Sequence, residues 1–272
     1  GVGPEAKLLT EYGDRELFNL RADEIVALRQ NCLSQLNASL GEPGADVVRI
    51  AIAGERVEAL GLAEFFRKRP GLHSPVVLVP VTAHYSWEKA MKLLGLGSAQ
   101  LIGVACTGMR MDMVALDTQI AHCAAREIPI LAVVGVLGTP EYGTLDSLHE
   151  ILALRERWNE QGVDFQVHVD AAWGGYLVST FRESDGTLAA RETVATGHRY
   201  FPSERVHRTM AALAEVDSIT IDPHKLGYLP YGAGAFVCRD RRWMDFVAQG
   251  AAYVFDPQRY SAKSLRDKFK GL

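Results

Sequence analysis

Apolar positions along this chain switch between two spacings. Over residues 20–40 they fall at Ile25, Val26, Leu28, Cys32, Leu33 and Leu36, the three-and-four spacing of a helix with one buried face, closed by Gly41 with Pro43 behind it. "DVVRIAIA" (46–53) is rich in β-branched residues and reads as a strand, and "ERVEALGLAEFFRKR" (55–69) reads as a helix ending at Pro70-Gly71. From there the pattern becomes regular. Apolar runs at 75–83, 100–106, 128–138 and 164–172 predict strands. Helices are predicted between them at 84–97, at 111–127 with Asp112 as N-cap, and at 147–161, capped by Asp146 and stopped at Gly162. A polar excursion at 181–203 reads as a loop. A helix near 203–215 and two strands, "DSITIDPH" and "GAFVCRD", follow it.

The runs are continuously apolar rather than alternating, as strands buried on both faces are. Strands separated by helices imply βαβ units, and so an α/β fold with a mostly parallel sheet and helices on both faces. No helix separates the last two strands, so that pair is expected to be antiparallel. No internal repeat appears, and no clear linker splits the chain.

Composition narrows the partners. The 272 residues are 48% hydrophobic and 23% charged with a net charge of -4. No cluster of Lys and Arg could neutralise a phosphate backbone, so neither a nucleic acid nor an anionic membrane is an expected partner. The basic stretches "FFRKRP" (65–70) and "RDKFKG" (266–271) read as solvated faces. No run reaches the roughly 18 apolar residues of a membrane span, and the opening "GVGPEAKLLTEYG" lacks the charged-then-apolar order of a secretory leader. Cys32, Cys106, Cys123 and Cys238 are widely spaced with no C-x-x-C. Neither a metal site nor a disulfide framework is expected, and a cytoplasmic location fits.

In an open α/β sheet, ligands bind outside the carboxyl ends of the strands. The polar residues expected at that edge are His84, Thr139, Asp170, Asp222, His224 and Lys225. Asp170, in "VHVDAAWGGY", either caps the next turn or meets a ligand that the following glycines let come close. Lys225 follows Asp222-Pro223-His224 and precedes "LGYLPYG". A lysine there is either solvated or partly desolvated, and desolvation favours the neutral amine that attacks carbonyls. His84 opens a helix, as a cap, a core residue or a ring lying flat on a planar ligand. A lysine nucleophile, a carboxylate and a flat ring at strand ends are what pyridoxal 5′-phosphate needs: the carboxylate keeps the pyridine nitrogen protonated, and the lysine holds the aldehyde.

Five segments then occur in order: "HYSWEKAMKLLGLG", "RMDMVAL", "VVGVLGTPEYGTLDSL", "VHVDAAWGGY" and "ITIDPHKLGYLPYGAGAFVCRD". Together they resemble the group II pyridoxal-phosphate-dependent amino-acid decarboxylases, whose fold is aspartate-aminotransferase-like. The branch most similar is the bacterial tyrosine decarboxylases, with their DPHK-x-GY-x-PY segment and a following "TYVF"-like stretch, here "AYVF" (252–255). By that resemblance, Lys225 and His84 are catalytic, Lys225 forming the Schiff base. Asp170 pairs with the pyridine nitrogen. His84 stacks on one face of the ring and Ala172 packs on the other. Thr139 lies near the ring substituents, and His224 and Asp222 approach the phosphate or substrate side. A carboxylate such as Asp222 beside a phosphate would repel it.

The resemblance also implies a division of the chain: an N-terminal helical part of the large domain (1–74), a cofactor-binding core (75–256), and the start of a C-terminal region (257–272). The family's phosphate-holding loop, small domain and mobile catalytic loop are not found in this sequence. The activity implied is α-decarboxylation of an L-amino acid, tyrosine or another aromatic one, by a homodimer. Trp173, Tyr228 and Tyr231 could line an aromatic pocket. A glutamate or aspartate decarboxylase would instead need a cation, Arg110 or Arg239, for the side-chain carboxylate. A carbon–carbon or carbon–sulfur lyase using the same lysine, and a non-catalytic binding module, are the other readings.

Overall fold

The computed structural model describes residues 11–247. The "AYVF" stretch, the basic 266–271 segment and the expected C-terminal region lie outside them. The chain forms two units, 1–239 and 240–272. Within the second, the described part is a short 3₁₀ turn, Arg241–Phe246, whose first turn is capped by the Asp240 carboxylate accepting from Arg242 N.

The first unit is built on a six-stranded sheet. Its strands are β1 (Val76–Pro80), β2 (Leu101–Val104), β5 (Ile130–Val136), β6 (Gln166–Asp170), β7 (Ser218–Ile221) and β8 (Ala235–Cys238). A two-residue hairpin, β3 (Cys106–Thr107) with β4 (Arg110–Met111), stands apart from it. The order across the sheet is β2-β1-β5-β6-β7-β8. Neighbours run parallel except β7 and β8, which are antiparallel as their direct connection required.

Burial on both faces is visible residue by residue. On β1, Val76 and Leu78 face a large core completed by helices α6 (Met113–Ala125), α7 (Leu148–Asn159) and α9 (Glu204–Ala212). Val77 and Val79 face a smaller core under α5 (Ser86–Leu93). Val167 and Val169 of β6 belong to the large core, so His168 and Asp170 point to the α5 side.

Four expectations from the sequence are corrected. The predicted strand 46–53 is helical: α2 runs Ala22–Gly54, bent at Gly41 (φ 65°, ψ 172°). Pro43 does not end structure there. It occupies the first turn after the bend, where its missing N–H costs nothing. The predicted helix 55–69 is two short ones, α3 (Val57–Leu60) and α4 (Leu62–Arg67), parted by Gly61 at φ 74°. The excursion 181–203 holds a further turn of helix, α8 (Arg191–Ala195). Asp146 does not cap α7, whose N-cap is Ser147. Its buried carboxylate accepts from Met111 N (2.7 Å) and Val136 N (2.8 Å), tying the hairpin to β5. Asp112 does cap α6, accepting from Val114 N and Ala115 N.

The amino edge of the sheet is closed by buried charge. Asp217 Oδ2 accepts from Arg155 Nη1 (2.7 Å) and from Val167 N (2.7 Å), while Oδ1 faces Arg239 Nη2 at 3.1 Å. Asp164 is buried beside this network, and burial pushes its carboxyl up to about 6 against the pull of Arg21 and Arg155.

Candidate active site

The opposite, carboxyl edge is open. There a cavity of about 600 Å³ is lined by His84, Asp170, Ala172, Asp222 and Lys225, five of the seven residues singled out from the sequence. Each reaches it by topology. Asp170 is the last residue of β6, Asp222 directly follows β7, Ala172 follows β6, and His84 lies between β1 and α5. The volume falls in the range of small-molecule and cofactor sites.

Lys225 is partly desolvated, its side chain 22% exposed, and its Nζ lies 2.8 Å from Asp222 Oδ2. The same amine stands 5.3 Å from the Trp173 ring centroid. Asp222 is thus occupied by the lysine three residues on, and its charge is compensated by that amine. His224 stands beside the pair, Nε2 3.8 Å from Asp222 Oδ2, but its Nδ1 binds Ala233 O (2.7 Å) and it is not among the lining residues.

Asp170 is held on both oxygens: Oδ1 accepts from Ala172 N and Oδ2 from Trp87 Nε1, each at 3.2 Å. His84 is exposed, with Nδ1 2.8 Å from Ser86 Oγ and its ring tilted over Tyr85. Thr139 lies elsewhere. It is buried, bonds Thr144 Oγ1 (2.9 Å) across a turn, and borders a neighbouring apolar cavity of about 240 Å³.

Among the lining residues that sequence reasoning missed are Trp87, His168 and Phe236. His168 had a signal: it lies two residues before Asp170 on a strand and so shares its face. Its ring is fixed by Ser218 Oγ (2.8 Å) and Thr220 Oγ1 (3.3 Å), and burial lowers its pKa against the opposing influence of Asp170. Phe236, from the antiparallel β8, stacks on it at 6.2 Å.

The glycines after Asp170 serve a different purpose from the one expected. A Cβ on Gly174 would stand 2.4 Å from Leu137 O, and one on Gly175 2.8 Å from Ile221 Cγ1. They let this segment pack on the sheet rather than admit a ligand.

Residues 71–264 match the pyridoxal-dependent decarboxylase conserved domain. The chain belongs to that family. Its cofactor is pyridoxal 5′-phosphate. Among characterised relatives, the L-tyrosine decarboxylase of Levilactobacillus brevis is 36% identical over 265 residues, covering 94% of this chain and 39% of the relative. That of Enterococcus faecium is 40% identical over 188 residues, 66% of this chain and 31% of the relative. The aspartate 1-decarboxylase of Aliivibrio fischeri is 33% identical over 179 residues, 65% of this chain and 28% of the relative. The chain therefore spans less than half the length of these relatives. Mouse CSAD in its apo form shares the fold, with a TM-score of 0.54 at 21% identity over 93% of this chain and 53% of that one.

The donor set fits the cofactor. A primary amine and an oriented carboxylate line one cavity with a histidine ring and a small side chain, and no second lysine lines it among the described residues. Arg110 and Arg239 are not at the cavity. Arg110 binds Gly108 O, and Arg239 belongs to the network at the amino edge. Tyr228 and Tyr231 are 89% and 87% exposed and do not line the cavity, whereas Trp173 does.

Proposed function

We propose that the protein containing this chain removes the α-carboxylate of an L-amino acid with pyridoxal 5′-phosphate, and that tyrosine or another aromatic amino acid is the substrate. The observation that carries the reading is the meeting of Lys225, Asp170, His84 and Ala172 around one cavity. When bound, the cofactor supplies a sink for the electron pair left at Cα as carbon dioxide departs. Lys225 supplies the amine that would hold the cofactor's aldehyde. Asp170 supplies the oriented carboxylate that would keep the pyridine nitrogen protonated. His84 and Ala172 would flank the ring, and Asp222 holds the Lys225 amine at 2.8 Å; Thr139 and His224, which do not line the cavity, take no part in this reading. One proton is taken up at Cα for each carbon dioxide lost.

Two observations favour an aromatic substrate. Two of the tyrosine decarboxylases match 94% of the chain, at 36% and 34% identity, whereas the aspartate enzyme matches 65% of it at 33%. Among the described residues no arginine lines the cavity to receive a side-chain carboxylate. The division into a helical N-terminal part (1–74) and a cofactor-binding core (75–256) belongs to the same reading. Its support is that every strand of the sheet lies between Val76 and Cys238. A homodimer is supported by the apolar side chains that α2 leaves exposed, Val47 at 69% and Ile50 at 73%. A cytoplasmic setting is supported by Cys32, Cys106 and Cys123, which form no disulfide. No described helix is long and apolar enough to cross a membrane.

The decisive experiment is Lys225→Ala in the full-length protein supplied with cofactor. The visible absorbance that marks aldehyde capture by a lysine amine should disappear. Its persistence would refute the assignment. Carbon dioxide released from tyrosine but not from aspartate completes the test, and a lyase would release a different product.

A further inference from the structure

The carboxylate at the end of β6 is gripped by a side chain from another layer of the fold. Trp87 sits in the first turn of α5, and its indole N–H donates to Asp170 Oδ2 at 3.2 Å across 83 positions of sequence. Ala172 N takes the other oxygen, at 3.2 Å. Trp87 is itself anchored. Its α5 neighbour Met91 is 2% exposed in the smaller core, against which Trp87 packs, and its ring meets His168 edge-on at 5.5 Å and 64°. His168 cannot swing away, because Ser218 and Thr220 hold its two nitrogens. Burial favours its neutral ring, so it brings no competing positive charge to Asp170.

We infer that Trp87 is a positioning residue for Asp170. Its N–H fixes the rotation of the carboxylate, so that the lone pairs left free face the cavity. Charge-assisted hydrogen bonds are the stronger kind, and a carboxylate fixed before the ligand arrives loses no rotational freedom on binding it. The inference rests on the proposed role of Asp170 toward the cofactor.

The test is a double-mutant cycle on the full-length protein, reading the dissociation constant for pyridoxal 5′-phosphate by absorbance titration. Trp87→Phe keeps the ring against His168 and deletes the N–H. It should weaken the cofactor roughly tenfold, about 1.4 kcal/mol. In an Asp170→Asn background the same change should cost less than about twofold, because the charged acceptor is already gone. If Asp170→Asn alone leaves affinity unchanged, the Asp170 assignment fails, and that of Trp87 with it. If Asp170→Asn weakens binding and the Trp87→Phe effect simply adds to it, only the Trp87 inference is overturned. Should Trp87→Phe fail to fold, solvent exchange of the Trp87 indole N–H, followed by nitrogen-15 NMR, decides instead. Exchange should be slow in the wild type and at least about tenfold faster in Asp170→Asn, and equal rates would overturn the inference.

Discussion

Asp164→Asn should stabilise this protein at pH 8 and leave it unchanged at pH 4. Asp164 is 6% exposed, and its carboxyl is raised from 3.8 to about 6, first by burial and further by the charge of Asp217, with Arg21 and Arg155 opposing. An acid that binds its proton more tightly folded than unfolded contributes stability that is complete below its unfolded pKa. That contribution is lost as pH rises through the folded value. The window here runs from 3.8 to about 6. At about 1.4 kcal/mol for each tenfold change in proton affinity, the ionised form costs about 3 kcal/mol at neutral pH. Asparagine keeps the shape and an acceptor oxygen for Asn159 Nδ2, which lies 3.4 Å from Asp164 Oδ1, and carries no charge. Urea denaturation from pH 4 to pH 8 should show the variant's midpoint climbing above that of the wild type as pH increases, with the slope against urea unchanged. A gain equal at every pH, or a loss at pH 8, would show that Asp164 is held ionised by its arginines and would refute the reasoning.

Removing the neighbouring carboxylate should have the opposite effect on stability. Asp217→Ala strands the buried Arg155 and the Val167 N–H, and should cost about 3–5 kcal/mol in the same denaturation assay. A cost under about 1 kcal/mol would mean water replaces it. Near the site, a Cβ on Gly227 would meet Pro223 O at 2.5 Å and Tyr176 Cζ at 2.6 Å, so Gly227→Ala should displace the turn carrying Lys225. Stopped-flow absorbance should then show cofactor capture slowed at least about tenfold.

Much of this fold was legible because its strands are short apolar runs between well-punctuated helices. The runs that became β1, β5 and β6 were found by composition, and the antiparallel β8 by the lack of a helix before it. The segment 46–53 was misread for a physical reason. Val48, Ile50 and Ile52 alternate as in a strand, but a strand needs a neighbour to pair with, whereas a helix satisfies its own backbone. Propensity differences of a few tenths of a kcal/mol cannot outweigh that. In the site, the residues at strand ends were found because topology alone delivers them to one edge. Trp87 and Phe236 were not, since they come from α5 and β8, and only packing brings them to Asp170 and His168. Asp146 looked like a helix cap in sequence because nothing local reveals that Met111 N lies within its reach.

β6 places its core and its chemistry on alternate residues: Val167 and Val169 toward one side, His168 and Asp170 toward the other. The strand is therefore sensitive to frame as well as to content. Losing or gaining a single residue between Val167 and Asp170 would turn the carboxylate into the apolar core and a valine into the cavity. Point substitutions here can harm stability or activity separately, but a one-codon insertion or deletion harms both at once. Among natural variants of this gene, the length of this segment should be held constant even where its individual residues drift.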